Sequence, residues 1–189
     1  MLCETTGPTA DVPRGVDVAA IYDQYADRIY SYALRCCHNP MMAEDIVATT
    51  FQRALENLPS LDWPGVPASA WLYRVASNQL AAHYRRRQTL PLDDTLYADV
   101  PDEGGGPEHR LVRGERGREV RAAVATLPLL QRQAIVLRYG HGLRYKEIAL
   151  ILGRSEGTIK QVVHRALLKL RERLAGAGSP IRTPDGVVE

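Results

Sequence analysis

Residues 88–109 hold six acids (Asp93, Asp94, Asp99, Asp102, Glu103, Glu108), no Lys or Arg, three prolines (Pro91, Pro101, Pro107) and the run Gly104-Gly105-Gly106, with no apolar period. Such a stretch buries too little apolar surface to offset the entropy of folding, and it reads as a flexible acidic linker. Any core must therefore be built on either side of it. In a chain of 189 residues that leaves room for two small domains. The expected organisation is a flexible N-terminal extension over 1–17, a domain over 18–87, the linker over 88–110, a second domain over 111–174 and a flexible tail over 175–189. Hydrophobic residues at 45% and charged residues at 24% are ordinary for globular domains and exclude wholesale disorder or a fibrous chain.

Both halves read as helical, and no strand pattern or repeat is present. Ile21, Tyr25, Ile29, Tyr32 and Ala33 recur at helical spacing, as do Ile46, Val47, Phe51, Ala54, Leu55 and Leu58, with a break near Asn39-Pro40. Pro59, Pro64, Gly65 and Pro67 mark a loop. A third helix resumes near Ser69 and runs to Arg87, with Trp71, Leu72, Val75 and Ala76 facing inward. Beyond the linker, periodicity returns near Leu111 through Val120, Val124 and Leu127, stops at Pro128, restarts through Ala134, Ile135, Leu137 and Tyr139, and breaks at Gly140 and Gly142. The fold class is all-α, with two small helical domains joined by the acidic linker.

The second half ends in a more specific pattern. A short amphipathic helix over 145–152, Gly153 as a left-handed cap, Ser155 as an N-cap and a helix over 158–174 make a helix-turn-helix, because the glycine lets the chain reverse within a few residues. Its expected core is Ile148, Ala149, Leu152, Ile159, Val163 and Leu167. Outward positions Glu156, Thr158, Lys160, Gln161, His164, Arg165 and Lys169 suit phosphates and base edges in a major groove. From 141 to 174 eight Lys or Arg face three Glu, a local charge of +5 within a chain of net +2. Phosphate affinity by counterion release follows. The plainer account is an amphipathic helix pair with a solvated basic face.

The first half offers basic and aromatic groups suited to unstacked bases. Trp63 sits on the Pro-rich loop, and Tyr73, Arg74, Asn78, His83 and Tyr84 lead into Arg85, Arg86 and Arg87; from 71 to 87 there are four Arg and no acid. Trp71 reads as core. Trp63 stacks on a base or anchors its loop. Asn78, mid-helix against its propensity, contacts DNA or bonds the neighbouring loop. Glu44 and Asp45 suit the N-terminus of the second helix through its macrodipole, and equally suit a basic protein partner.

Other chemistry finds little support. There is no Gly-rich phosphate loop, paired metal motif or nucleophile elbow, so no residue is assigned a catalytic or metal-binding role and no cofactor is called for. Cys3, Cys36 and Cys37 are odd in number and make no disulfide framework; reduced thiols are expected, with Cys36-Cys37-His38 buried or partly buried in a structural role. No apolar run of membrane-spanning length occurs, and the start lacks the basic end and apolar core of a signal peptide, so the expected location is the cytoplasm, without membrane insertion.

Three ordered motifs carry a family resemblance: Ala43-Glu44-Asp45-Ile46-Val47-Ala48-Thr49-Thr50-Phe51, then Ala70-Trp71-Leu72-Tyr73-Arg74-Val75-Ala76-Ser77-Asn78, then Leu127-Pro128 through Gly142-Leu143-Arg144-Tyr145-Lys146-Glu147-Ile148-Ala149 to Gly157-Thr158-Ile159-Lys160. Over residues 19–174 the chain resembles the bacterial sigma factors, specifically the extracytoplasmic-function (ECF) group of the sigma-70 family. The resemblance implies a non-enzymatic initiation factor whose partners are core RNA polymerase, at its clamp and flap, and promoter DNA, duplex and melted; members often also have an anti-sigma factor. It implies minus-ten contacts from Trp63, Arg74, Asn78, His83, Tyr84, Arg85, Arg86 and Arg87. Minus-thirty-five contacts fall to Arg144, Arg154, Glu156, Thr158, Lys160, Gln161, His164, Arg165 and Lys169. Polymerase contacts fall to Glu44, Asp45, Ile46 and Phe51. The linker would thread the polymerase channel and imitate RNA, or serve as a solvated tether. The chain departs from the usual pattern at Ala48, Thr49, Ala82 and Val162. A helix-turn-helix regulator with a sensory first domain explains the second half equally well and leaves 71–87 unexplained.

Overall fold

A computed structural model of the chain describes residues 18–57, 67–87 and 107–175, with the backbone alone for residues 87 and 107–115. Every regular element in them is helical: α1 (Val18–Cys37), α2 (Pro40–Asn57), α3 (Ala68–Arg87), α4 (Pro107–Ala125), α5 (Leu129–Ile135), α6 (Tyr145–Leu152) and α7 (Glu156–Ala175). Helix α5 runs on into one wide turn, Val136–Gly140, closed by the His141 N–H donating to the Val136 carbonyl at 3.1 Å. That i→i+5 turn is a π-bulge. The segments 1–17, 58–66, 88–106 and 176–189, and with them Cys3, Leu58 and Trp63, lie outside the described residues.

Local chemistry sets the corners. His38 closes α1 in the left-handed region at φ 55°, and Asn39 then accepts a hydrogen bond from the Met42 N–H at 3.1 Å, an N-cap with Pro40 in the first helical position. In the first half, α1, α2 and α3 pack on one another around Ile29, Tyr32 and Cys36 of α1, Ile46, Phe51 and Ala54 of α2, and Leu72, Val75 and Leu80 of α3. Trp71 joins this core as expected. Each fully buried Ile, Leu or Phe side chain is worth about 1.5–3 kcal/mol. Leu55, expected inward, is 63% exposed: Ala54 takes the inward position, and the next residue on an α-helix is turned by about 100°.

In the second half α4, α5 and α6 all pack on α7. The buried positions of the helix pair are Ile148, Ala149 and Ile151 on α6 and Ile159, Val163, Ala166, Leu170 and Leu174 on α7. Leu152 and Leu167, expected in the core, are only half-buried; Ile151 and the Ala166–Leu170 pair take those places because the packed stripe is rotated by one residue. Val120 is likewise exposed. Helix α4 begins at Pro107, inside the stretch assigned to the linker, since proline suits a first helical position.

The two halves also pack against each other. Helix α3 contacts α6 and α5, and α1 contacts the π turn, α4 and α5. Arg132, at the start of this joint, is buried and donates to the Cys36 carbonyl at 2.6 Å, the Tyr84 hydroxyl at 2.9 Å, the Leu127 carbonyl at 3.0 Å and the Ala125 carbonyl. Cys36 and Ala125 stand in the last turns of α1 and α4, where carbonyls lack helical partners and the macrodipole is negative. One guanidinium therefore caps a helix from each half. Nearby, Gln133 donates to the Ser77 carbonyl at 3.2 Å, and Tyr73 and His141 share a hydrogen bond of 3.0 Å. The Tyr32 ring meets Tyr73 and His141 edge-on.

Burial makes the joint sensitive to acid. His141 is held neutral, its pKa lowered to about 4 by desolvation and then by the cations Arg35 and Arg28; His38 is lowered to about 4 by desolvation and by Arg132. Both fall below the ordinary value of 6.5 that they regain on unfolding, so the unfolded chain binds protons first and stability is full above pH 6.5 and lost as pH falls from 6.5 toward 4. Urea midpoints measured across this window should fall steadily, and His141→Gln should flatten the decline; a midpoint constant down to pH 4 would contradict the assignment.

Candidate nucleic-acid interface

The helix-turn-helix is built by short-range rules. At its entrance the Glu147 carboxylate accepts from the Arg144 N–H at 2.7 Å, fixing the first turn of α6. Gly153 ends that helix in the left-handed region at φ 63°, which a side chain would strain, and the Arg154 N–H donates back to the Ala149 carbonyl at 3.0 Å. Ser155 then caps α7, its hydroxyl accepting from the Thr158 N–H at 3.1 Å. The chain turns in three residues and presents α7 with Ile159, Val163, Ala166 and Leu170 seated inward.

The opposite face of α7 is free. Arg154, Glu156, Thr158, Lys160, Gln161, His164, Arg165 and Lys169 are all exposed, as is Arg144 ahead of α6. At 100° per residue, Gly157, Gln161, Arg165 and Leu168 point most directly away from the core, flanked by Thr158 and Lys169 on one side and His164 and Lys160 on the other. Lys160 is paired with Glu156 at 2.8 Å, an exposed contact worth well under about 1 kcal/mol that yields readily to a phosphate. Arg138 stacks 4.7 Å over the Tyr145 ring.

On α3 the expected residues separate into two groups. Arg74 and Asn78 are exposed and, with Arg85, stand at i, i+4 and i+11 on one row of the helix; exposed Arg86 lies to its side. Asn78 is exposed on this row, and the loop that was its alternative partner lies outside the described residues. His83 and Tyr84 fall on the inward side and are half-buried. The Tyr84 hydroxyl donates to the Cys36 carbonyl at 3.2 Å and accepts from Arg132, so this ring is a packing element of the joint here, not part of the exposed row. The Arg87 side chain and Trp63 lie outside the described residues.

Among the expected polymerase contacts, Glu44 and Asp45 are exposed near the start of α2. Ile46 and Phe51 are each 5% exposed and belong to the core, on the inward stripe of an amphipathic helix, so neither offers its side chain to a partner. Cys36 is buried and Cys37 partly buried, its thiol donating to the Asn39 carbonyl at 3.3 Å, and burial raises both pKa values. No helix among the described residues is long and apolar enough to cross a membrane.

A cleft of about 370 Å³ between α3 and the α5–α6 side brings the two surfaces together: Asn78 and Arg85 stand on one wall, Arg154 and Leu152 on the other. Sequence periodicity carries no trace of this juxtaposition, nor of Arg132, which looks like any cation on a helix until its partners are seen.

With this geometry in view, the comparisons define a class. The family description "Sigma-70 region 2" matches residues 21–89, and "Sigma-70, region 4" matches residues 117–170. The ECF RNA polymerase sigma factor SigW of Bacillus subtilis is 33% identical over 165 residues, spanning 82% of this chain and 88% of that protein. EcfG of Rhodopseudomonas palustris is 35% identical, with 84% and 85% covered. SigE of Mycolicibacterium smegmatis is 34% identical over 177 residues, and there the chain spans 66% of the relative's length; for BldN of Streptomyces coelicolor it spans 59%. The fold is similar to that of sigma factor RpoE of Bartonella quintana in complex with the anti-sigma factor NepR (TM-score 0.68, 25% identity, 84% of this chain and 97% of that one). It is also similar to CnrH in complex with the cytosolic domain of CnrY (TM-score 0.62, 25% identity, 86% and 89%). The chain belongs to the ECF RNA polymerase sigma factors of the sigma-70 family, which are non-enzymatic transcription initiation factors. The match to region 2 accounts for α3 and removes the regulator with a sensory domain.

Gly157 offers a test of the interface that separates folding from binding. A Cβ there would meet no atom within 4 Å, so the fold itself does not require glycine. Gly157→Ala should raise stability by roughly 0.5 kcal/mol through helix propensity. If α7 lies close against a DNA backbone, the same change should weaken duplex binding several-fold in a gel-shift titration. Unchanged affinity would remove Gly157 from the interface.

Proposed function

We propose that this chain binds core RNA polymerase and carries it to promoters in the cytoplasm, its first half engaging the melted minus-ten element and its second half the minus-thirty-five element. One observation carries this assignment: two exposed cation-bearing helix faces, the Arg74–Asn78–Arg85 row of α3 and the Gln161–Arg165 face of α7, each backed by its own buried core. On α3, Arg74, Asn78, Arg85 and Arg86, continued by Arg87 and by Trp63 on the preceding loop, hold the phosphates and stack or bond the displaced bases. On the second half Arg144, Arg154, Lys160, Arg165 and Lys169 hold duplex phosphates, while Thr158, Gln161 and His164 reach base edges. Glu44 and Asp45 are the exposed acids of α2 that meet the polymerase clamp. The acidic stretch 88–106 tethers the halves.

The relatives RpoE and CnrH, solved with NepR and with the cytosolic domain of CnrY, support an anti-sigma factor as a further partner. The test of the main assignment is run-off transcription on promoter fragments with purified core polymerase. Transcripts that depend on the protein and share upstream elements near minus ten and minus thirty-five are expected; their absence, with duplex binding retained, would overturn the assignment.

Two substitutions resolve the roles. Asn78→Ala should lower open-complex formation by about tenfold, the loss of one specific base contact, while leaving duplex binding intact. Arg165→Ala should reduce the salt slope of duplex binding by about 0.9, the share of one phosphate contact. A slope that does not move would take Arg165 off the phosphate backbone.

A further inference from the structure

We infer that the cleft between α3 and the α5–α6 side is a binding site for a free nucleoside monophosphate. Its volume of about 370 Å³ falls within the range of about 300–1,000 Å³ that small-ligand clefts occupy. Helix α3 contributes Asn78 and Arg85, α5 contributes Leu129 and Leu130, and α6 with the turn after it contributes Leu152 and Arg154. None of the described residues lining it is a carboxylate. Neither guanidinium is paired with an acid among the described residues, in contrast to Lys160, which Glu156 holds at 2.8 Å. Two forks of N–H donors from separate elements therefore border a space that holds no anion of the protein's own.

The lining selects the class of ligand. A carboxylate has two oxygens and is satisfied by one bidentate guanidinium, whereas a phosphate monoester has three terminal oxygens and accepts from two forks at once. A phosphodiester within a strand keeps only two free oxygens, so the pair of arginines favours a free nucleotide over a link in a chain. The three leucines supply an apolar surface for a flat ring. The Tyr84 hydroxyl and the Gln133 amide N–H are already engaged, with Arg132 and with the Ser77 carbonyl. The Asn78 amide has no hydrogen-bond partner among the described residues, and it offers the donor and acceptor that a base edge requires. An apolar bed, one free amide and two unpaired guanidiniums together match base and phosphate in a single molecule. The consequence for DNA rests on the minus-ten face proposed above: Asn78 and Arg85 belong to both sites, so a bound nucleotide excludes the melted strand.

The test is calorimetric titration of the full chain, at constant ionic strength, with each of the four nucleoside 5′-monophosphates and with inorganic phosphate. Saturable binding of at least one nucleotide is expected, about tenfold or more tighter than inorganic phosphate. Arg154→Gln, an exposed change, should weaken it by about tenfold, the loss of charge-assisted hydrogen bonds to one guanidinium. Ala81, a half-buried lining residue outside the DNA faces, gives the second variant: Ala81→Leu fills the cleft and should abolish binding at unchanged helical content. No saturable binding, affinity no greater than that of inorganic phosphate, or affinity untouched by both variants would overturn the inference. Displacement of a single-stranded minus-ten oligonucleotide by the nucleotide separates the two ideas. Nucleotide binding that obeys both variants yet displaces no oligonucleotide leaves the cleft site standing and removes Asn78 and Arg85 from the minus-ten face.

Discussion

A buried guanidinium anchors the joint between the two halves of this chain. Arg132 satisfies oxygens at the C-terminal ends of α1 and α4 and a phenol on α3, none of them a carboxylate. Burying such a charge is costly unless its donors are met, and helix C-termini meet those of the two terminal nitrogens cheaply because their last carbonyls lack partners and carry the negative end of the dipole, while Nε has no partner among the described residues. The same placement lowers the pKa of His38 and organises Tyr84. The neutral His141, the inward turn of Tyr84 and the shared cleft all follow from α5 being held against α1 and α3.

The exposed basic faces are, by contrast, products of local rules. Gly153 and Ser155 set the turn, the stripe through Ile159, Val163 and Leu170 seats α7, and whatever stands opposite that stripe faces outward. A +5 segment displayed this way gains affinity from counterion release whatever its finer contacts. On α3 the long, acid-free run works similarly, with Arg74, Asn78 and Arg85 on one row.

Much of this was legible in the chain itself. The bounds of α6, the cap at Gly153, the N-cap at Ser155, the break at Asn39-Pro40, the end of α3 at Arg87 and the inward Trp71 all follow from periodicity and capping chemistry. The misplaced core residues have one cause. Leu55, Val120, Leu152 and Leu167 are apolar residues at the margin of an inward stripe, and a rotation of the packed face by one residue moves them outward while Ile151, Ala166 and Leu170 move in. Ile46 and Phe51 were placed at a partner surface by resemblance, although their own hydrophobic period points them to the core. The π turn at Val136–Gly140 escaped because a helix with one extra residue per turn keeps the same composition.

What the sequence by itself determined is the set of helices, their caps, the charged faces of α3 and α7, and membership of the sigma-70 family, because each depends on residues within one or two turns or on motifs in order. What only the tertiary structure decided is the joint. Arg132 bonds a carbonyl 96 positions away, Tyr73 meets a histidine 68 positions on, and Tyr84 is drawn inward by a helix beyond the acidic stretch. No period in the chain encodes such meetings, since a polar residue on a helix is equally compatible with water and with a distant partner until the helices are packed.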